Sequence, residues 1–143
     1  MKRLLALALC LVLGLGCMTA AYATEFSSAN DPPTQTRMAY VSNTITSITI
    51  SGGKANCLGD LTGYKGITTK VEITLTLQRK LATSNTWTDY YNHPKQTFIN
   101  YYGTASFSKD IVKGYQYRTK AVYTAWAGTK YETFTEYSGA VSY

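Results

Sequence analysis

Along "TKVEITLTLQRK" the apolar residues Val71, Ile73, Leu75 and Leu77 alternate with Glu72, Thr74, Thr76 and Gln78. That is the period of two that turns one face of a strand to a core and the other to water. One solvated face predicts an antiparallel sheet, because strands of parallel sheets are usually apolar on both sides. The same period recurs in "DIVKGYQYRTKAVYTAW": Tyr115, Tyr117, Thr119, Ala121 and Tyr123 share one face, while Gln116, Arg118, Lys120 and Thr124 share the other. Burying Arg118 and Lys120 unpaired would cost more than the tyrosines could return, so the tyrosine row is predicted to point inward.

Shorter segments complete the pattern. "NTITSITISGG" carries Ile45, Ile48 and Ile50 and ends in the turn signal Gly52-Gly53. The slip in alternation between Ile45 and Ile48 predicts a bulge or a change of sheet there. "KANCLGDLTG" reads as a weaker strand bounded by glycines, and Ser84-Asn85 as a hairpin connection. Further strands are predicted near 97–100, 104–108 and 131–137, the last after Gly128, with a turn at Lys113-Gly114 before Tyr115. No stretch of ten residues beyond Ala23 repeats apolar positions at helical spacing. Seven or eight short strands with frequent turns predict an all-β, two-sheet antiparallel, immunoglobulin-like Greek-key sandwich, or less favourably a small barrel.

The chain opens differently. Met1-Lys2-Arg3 is a positive head, Leu4 to Gly16 is apolar but shorter than the roughly 20 residues a membrane helix needs, and Ala21-Tyr22-Ala23 has the A-x-A form of a signal-peptidase site. Residues 1–23 are therefore expected to be a signal peptide with a helical core, 24–38 a flexible leader containing Pro32 and Pro33, and 39–143 the sandwich. A secreted, extracellular protein with no transmembrane span in its mature chain follows. The alternative is a lipid anchor at Cys17, disfavoured by Gly14 where a lipoprotein signal carries an aliphatic residue.

Removing the signal leaves 12 basic against 8 acidic residues and Cys57 as the sole cysteine. No intramolecular disulfide can form, and the apolar neighbours Ala55 and Leu58 point to Cys57 as a small buried hydrophobe. The basic excess is modest and nowhere clustered, which argues against nucleic acid as a partner. No cofactor motif appears, and one His with one Cys cannot supply a zinc site. His93, beside Pro94, reads as a solvent-exposed loop histidine. A secreted effector such as a small hydrolase or toxin would need it to meet a carboxylate among Glu72, Asp89, Asp110, Glu132 and Glu136, which are scattered along the sequence.

The Tyr-rich strand after its Lys-Gly turn resembles the penultimate strand of fibronectin-type-III and immunoglobulin-like domains, which implies that Tyr115 is a corner tyrosine folding back onto the backbone. Leu77-Gln78-Arg79, then Trp87, then Gly114-Tyr115-x-Tyr117-Arg118 resembles a family of small exported domains of unknown function from Gram-positive anaerobes. That resemblance implies export and a β-sandwich and supplies no catalytic residue.

What remains is an excess of aromatics. Beyond Ala23 the chain keeps 12 tyrosines and both tryptophans. Adjacent strand residues point to opposite faces, so one each of Tyr90-Tyr91 and Tyr101-Tyr102 is expected outside, where with Trp87 they would form a stacking platform. The reading is a non-catalytic interaction module for a cell-surface glycan, wall polymer or protein partner, monomeric or dimerised through an edge strand.

Overall fold

The computed structural model describes residues 38–143. The signal peptide, the Cys17 anchor and the leader as far as Arg37 lie outside the described residues. In order, the strands are β1 (Val41–Ser51), β2 (Lys54–Gly63), β3 (Lys70–Leu81), β4 (Thr88–Asn92), β5 (Gln96–Phe98), β6 (Tyr102–Asp110), β7 (Tyr115–Ala127), β8 (Lys130–Tyr137) and β9 (Val141–Ser142). There are nine among the described residues: the strand predicted near 97–100 is the short β5, and the C-terminal segment adds the short piece β9.

Two antiparallel sheets face each other. The smaller has the order β1-β2-β6, and the larger β4-β3-β7-β8, with β5 also pairing β3 and β9 pairing β7. β6 returns to lie beside β2 after β3 to β5 have been placed in the other sheet, the crossing connectivity of a Greek key. At the β1–β2 hairpin Gly52 and Gly53 have φ of +55° and +76°, as a two-residue turn with both centres left-handed requires.

The core follows the predicted alternation. Val71, Ile73, Leu75 and Leu77 of β3 and Tyr117, Thr119, Ala121 and Tyr123 of β7 are all fully buried. They meet Ala55, Cys57 and Leu61 of β2, so the tyrosine row is the inside of the larger sheet. The close approach of the sheets is set at Gly59: a Cβ there would lie 2.7 Å from Leu75 Cδ2 and 3.0 Å from Tyr123 Oη. Tyr123 uses that space to donate to the Ile45 carbonyl at 2.9 Å and to share a 2.7 Å bond with Thr46 Oγ1. Cys57 is 1% exposed, and burial pushes its thiol up despite a hydrogen bond with Thr119.

Two local expectations are corrected. β1 pairs β2 without interruption from Asn43 to Ser51, and the register shift falls between Val41 and Asn43. Ile45 breaks the alternation because it lies on the outer face opposite Asp60, 51% exposed. The folding-back tyrosine is Tyr117, not Tyr115: its hydroxyl donates to the Val112 carbonyl at 2.8 Å and accepts from the Val112 N–H at 3.1 Å. Tyr115 instead packs its ring against the core edge under Arg79, whose Cζ is 4.5 Å from the ring centre.

Candidate functional site

The period that buries Tyr117 and Tyr123 sets Arg118, Lys120, Val122, Thr124 and Trp126 on the outer face of the larger sheet. The β3 register then lays Gln78 beside Arg118, Thr76 beside Lys120 and Lys70 beside Trp126, and β8 adds Tyr137 and Tyr131 at the two ends. Each of these residues occupies the wet face of its strand.

At one end a layered cluster forms. The Arg118 guanidinium lies between two rings, 4.3 Å from the Trp87 centre and 4.1 Å from that of Tyr137. Its Nε donates to Gln78 Oε1 at 2.8 Å, and Gln78 Nε2 donates to Asp89 Oδ1 at 2.8 Å. Gln78 is 7% exposed although it lies on the solvent side, so this polar chain is built in and fixes the guanidinium plane. Among the described residues only the Nε–H of Arg118 has a hydrogen-bond partner, which leaves four N–H donors for an incoming oxyanion. Lys80 stands over the same Trp87 ring at 5.4 Å.

At the other end Lys70 Nζ lies 3.8 Å over the Trp126 ring, which packs against Tyr131 with centres 4.6 Å apart. Glu72 bridges Lys70 at 3.2 Å and Lys95 at 3.3 Å. Burial alone would raise the Glu72 carboxyl, but the two lysines outweigh it and hold the group below its ordinary value. Eight residues of β7 separate Arg118 from Trp126, about 26 Å at strand rise. Between them runs a belt of Thr74, Thr124, Thr133 and Thr135, where Thr124 and Thr133 share a 2.9 Å hydroxyl bond. The face thus carries Lys70, Lys80, Lys95, Arg118 and Lys120 against Glu72 and Asp89, both already engaged.

Of the residues singled out in sequence, Trp87 belongs to this face. Tyr90 and Tyr91 do not: β3 and β4 slip register between Leu77 and Gln78, and the extra residue in β4 turns both rings toward the inside. Tyr90 packs edge-on to Tyr117 at 6.1 Å, and Tyr91 tilts against Phe107 at 5.2 Å. Tyr101 and Tyr102 pack edge-to-face at 5.1 Å, at the end of the sandwich where β6 begins beside Gly63 and away from Trp87. The platform is therefore not assembled from these five residues. Arg118, Tyr137, Trp126, Tyr131 and Lys70 join Trp87 in place of the four tyrosines, and parity along β7, carried on to Trp126, is the signal that puts Arg118 and Trp126 on one face.

His93 is not the exposed loop residue that its proline neighbour suggested. It is half-buried, stacked on Phe107 at 5.1 Å and 16°, with Nε2 3.0 Å from Gln96 Nε2 and Nδ1 buried without a partner. Glu132 and Glu136 both point inward from β8. Glu132 accepts from the backbone N–H of Tyr40 at 2.7 Å and of Ala39 at 3.0 Å, and Glu136 accepts from Thr44 at 2.6 Å and Thr46 at 3.1 Å. Glu136 ties β1, and Glu132 the two residues before it, to the opposite sheet. No group of three or more His, Cys, Asp or Glu among the described residues is placed to hold a metal ion, and none of the described residues forms a helix long and apolar enough to cross a membrane.

No family model and no curated protein matches the chain. Among solved structures, the solution structure of R. palustris CsgH aligns over 65% of this chain and 88% of that chain, with a TM-score of 0.37 and 12% identity.

Proposed function

We propose that this protein is an exported, non-catalytic, immunoglobulin-like interaction module, and that the outer face of its larger sheet binds a polyanionic surface polymer. The observation that carries the reading is the placement of both tryptophans on one flat face, each under a cation, with the nearby carboxylates Glu72 and Asp89 already engaged. A guanidinium held flat between two rings presents its N–H edge in a fixed plane, the geometry that carboxylate and phosphate oxygens accept. Two such clusters about 26 Å apart suit a long chain better than a single small molecule. The threonine belt between them offers hydroxyls to the sugar or polyol backbone that would carry the charges.

The test is binding of the purified protein to an array of neutral glycans, carboxylate-bearing glycans and phosphate-bearing wall polymers, at low and high salt. The expected result is salt-sensitive retention on one anionic class, lost in Arg118→Ala and weakened in Trp87→Ala and Lys70→Ala. Tyr101→Ala, at the remote end, and His93→Ala should bind as the parent does. Equal binding by Arg118→Ala, or retention on neutral glycans alone, would remove the proposed face from consideration.

A further inference from the structure

The two sheets differ in width. The larger is four strands across, β4-β3-β7-β8, and the smaller only three, ending at β6. The position beside β6 is therefore the one place where the larger sheet's inner side lacks a covering strand among the described residues.

The free edge of β6 is ready to pair. Tyr101 O accepts from Gly63 N–H and Ile111 N–H donates to Gly53 O, so odd-numbered residues of this segment turn their backbone groups toward β2. In an antiparallel ladder the intervening residues turn theirs away. Thr104, Ser106 and Ser108 accordingly present N–H and C=O groups to the open side. From Tyr102 to Ser108 the strand has no charge, no proline and no register shift. Under this edge lies an aromatic slot: Phe107 on the inner face of β6, Tyr91 5.2 Å from it and His93 stacked on it at 5.1 Å. None of the three is fully buried, yet His93 Nδ1 is buried and unpaired.

The edges of the larger sheet carry devices that discourage pairing. β4 has five residues and a register shift. β8 points Glu132 and Glu136 inward, and pairing it with a second β8 about Phe134 would set Glu132 against Glu136. β1, the other edge of the smaller sheet, is uncharged as well, but beneath it lies an inward carboxylate, Glu136, bonded to the Thr44 and Thr46 hydroxyls, where β6 has aromatic rings.

The geometry points to a strand-addition site: the free edge of β6 takes an extended segment of a protein partner, about seven residues long, with apolar side chains at alternate positions seated on Tyr91, His93 and Phe107. Backbone hydrogen bonds to Thr104, Ser106 and Ser108 supply the affinity and the aromatic slot selects the alternation. This site is separate from the polyanion face.

Residue-resolved amide hydrogen exchange on the purified protein tests it, alone and with synthetic seven-residue peptides alternating Thr with Val, Leu or Phe between lysine caps. In the free protein the N–H groups of Thr104, Ser106 and Ser108 should exchange quickly, and those of Ala105 and Phe107 slowly. With peptide the first three should slow at least about tenfold and the latter two stay unchanged, and Ser106→Pro, which removes only an outward N–H, should weaken binding about tenfold. Even-numbered amides already as slow as their neighbours in the free protein would show the edge filled by the chain's own leader or by a second copy. That result overturns the proposal, as does a peptide set that leaves the three amides unchanged at millimolar concentration. The wild-type exchange pattern decides the matter even if Ser106→Pro fails to fold.

Discussion

Replacing Tyr123 by Phe should reverse the stability order of two proteins between neutral and strongly alkaline pH. At pH 7 the variant loses the 2.9 Å bond to the Ile45 carbonyl and the 2.7 Å bond to Thr46 Oγ1. Neither partner is orphaned, since Ile45 stays in the β1–β2 ladder and Thr46 keeps Glu136 at 3.1 Å. The loss should therefore be about 1–1.5 kcal/mol, the range for hydrogen bonds whose partners remain satisfied. At high pH the balance changes, because desolvation by burial pushes the Tyr123 hydroxyl up to about 12 from 10.0, against the opposing bond from Thr46. A group whose folded-state pKa is raised contributes stability that is intact below the unfolded value and disappears as pH rises through the folded one. The wild type should thus shed about 2–3 kcal/mol between pH 10 and 12 from this residue, since each tenfold gain in proton affinity on folding is worth about 1.4 kcal/mol. Phe has no proton to lose. The Cys57 contribution, also lost at alkaline pH, is common to both proteins and cancels in the difference. Urea unfolding at intervals from pH 7 to 12 should show the wild type ahead at neutral pH and the two curves crossing near pH 11. A stability difference independent of pH would refute the buried, hydrogen-bonded placement of this hydroxyl.

Three further outcomes follow from the packing. Gly59→Ala should lower stability by about 1–3 kcal/mol in thermal unfolding, because its Cβ meets Leu75 Cδ2 at 2.7 Å between two closely packed sheets; an unchanged midpoint would mean that the sheets separate without penalty. Tyr117→Phe should cost about 1–2 kcal/mol through the two bonds to Val112, while Tyr115→Phe should be near neutral in the same denaturant titration. The opposite ranking would return the corner role to Tyr115. Cys57 should resist a thiol reagent in the native protein and react at once on addition of denaturant, and fast labelling without denaturant would contradict its burial.

Parity explains both what could be read from the chain and what could not. Along β3 and β7 each residue's face follows from the one before it, so the inward tyrosines, the core leucines and the wet face of Arg118 and Lys120 were legible from alternation alone. A single added residue undoes that logic for everything beyond it. The slip opposite Leu77 turns both Tyr90 and Tyr91 inward, and it arises from how β4 meets β3, a long-range pairing that β4's own sequence does not encode. Ile45 misled in the opposite sense, since β1 there is regular and the isoleucine simply faces water. The corner tyrosine depends on reach: Tyr117 comes back to Val112 across Gly114, whose φ of +90° reverses the chain between them. Tyr115, one residue past that turn, shares the face of Tyr117, but its ring is taken up by the core edge and by Arg79. The candidate face combines the two cases. Its β7 column was visible as Arg118, Lys120 and Thr124, but its width comes from the register that brings Gln78, Lys70, Tyr131 and Tyr137 alongside. A binding surface on a sheet is a two-dimensional object, and a sequence discloses one strand of it at a time. The cross-strand spacing that turns isolated tryptophans into cation-covered clusters exists only once the strands are in register, which is why the aromatic excess was evident from composition while its partners were not.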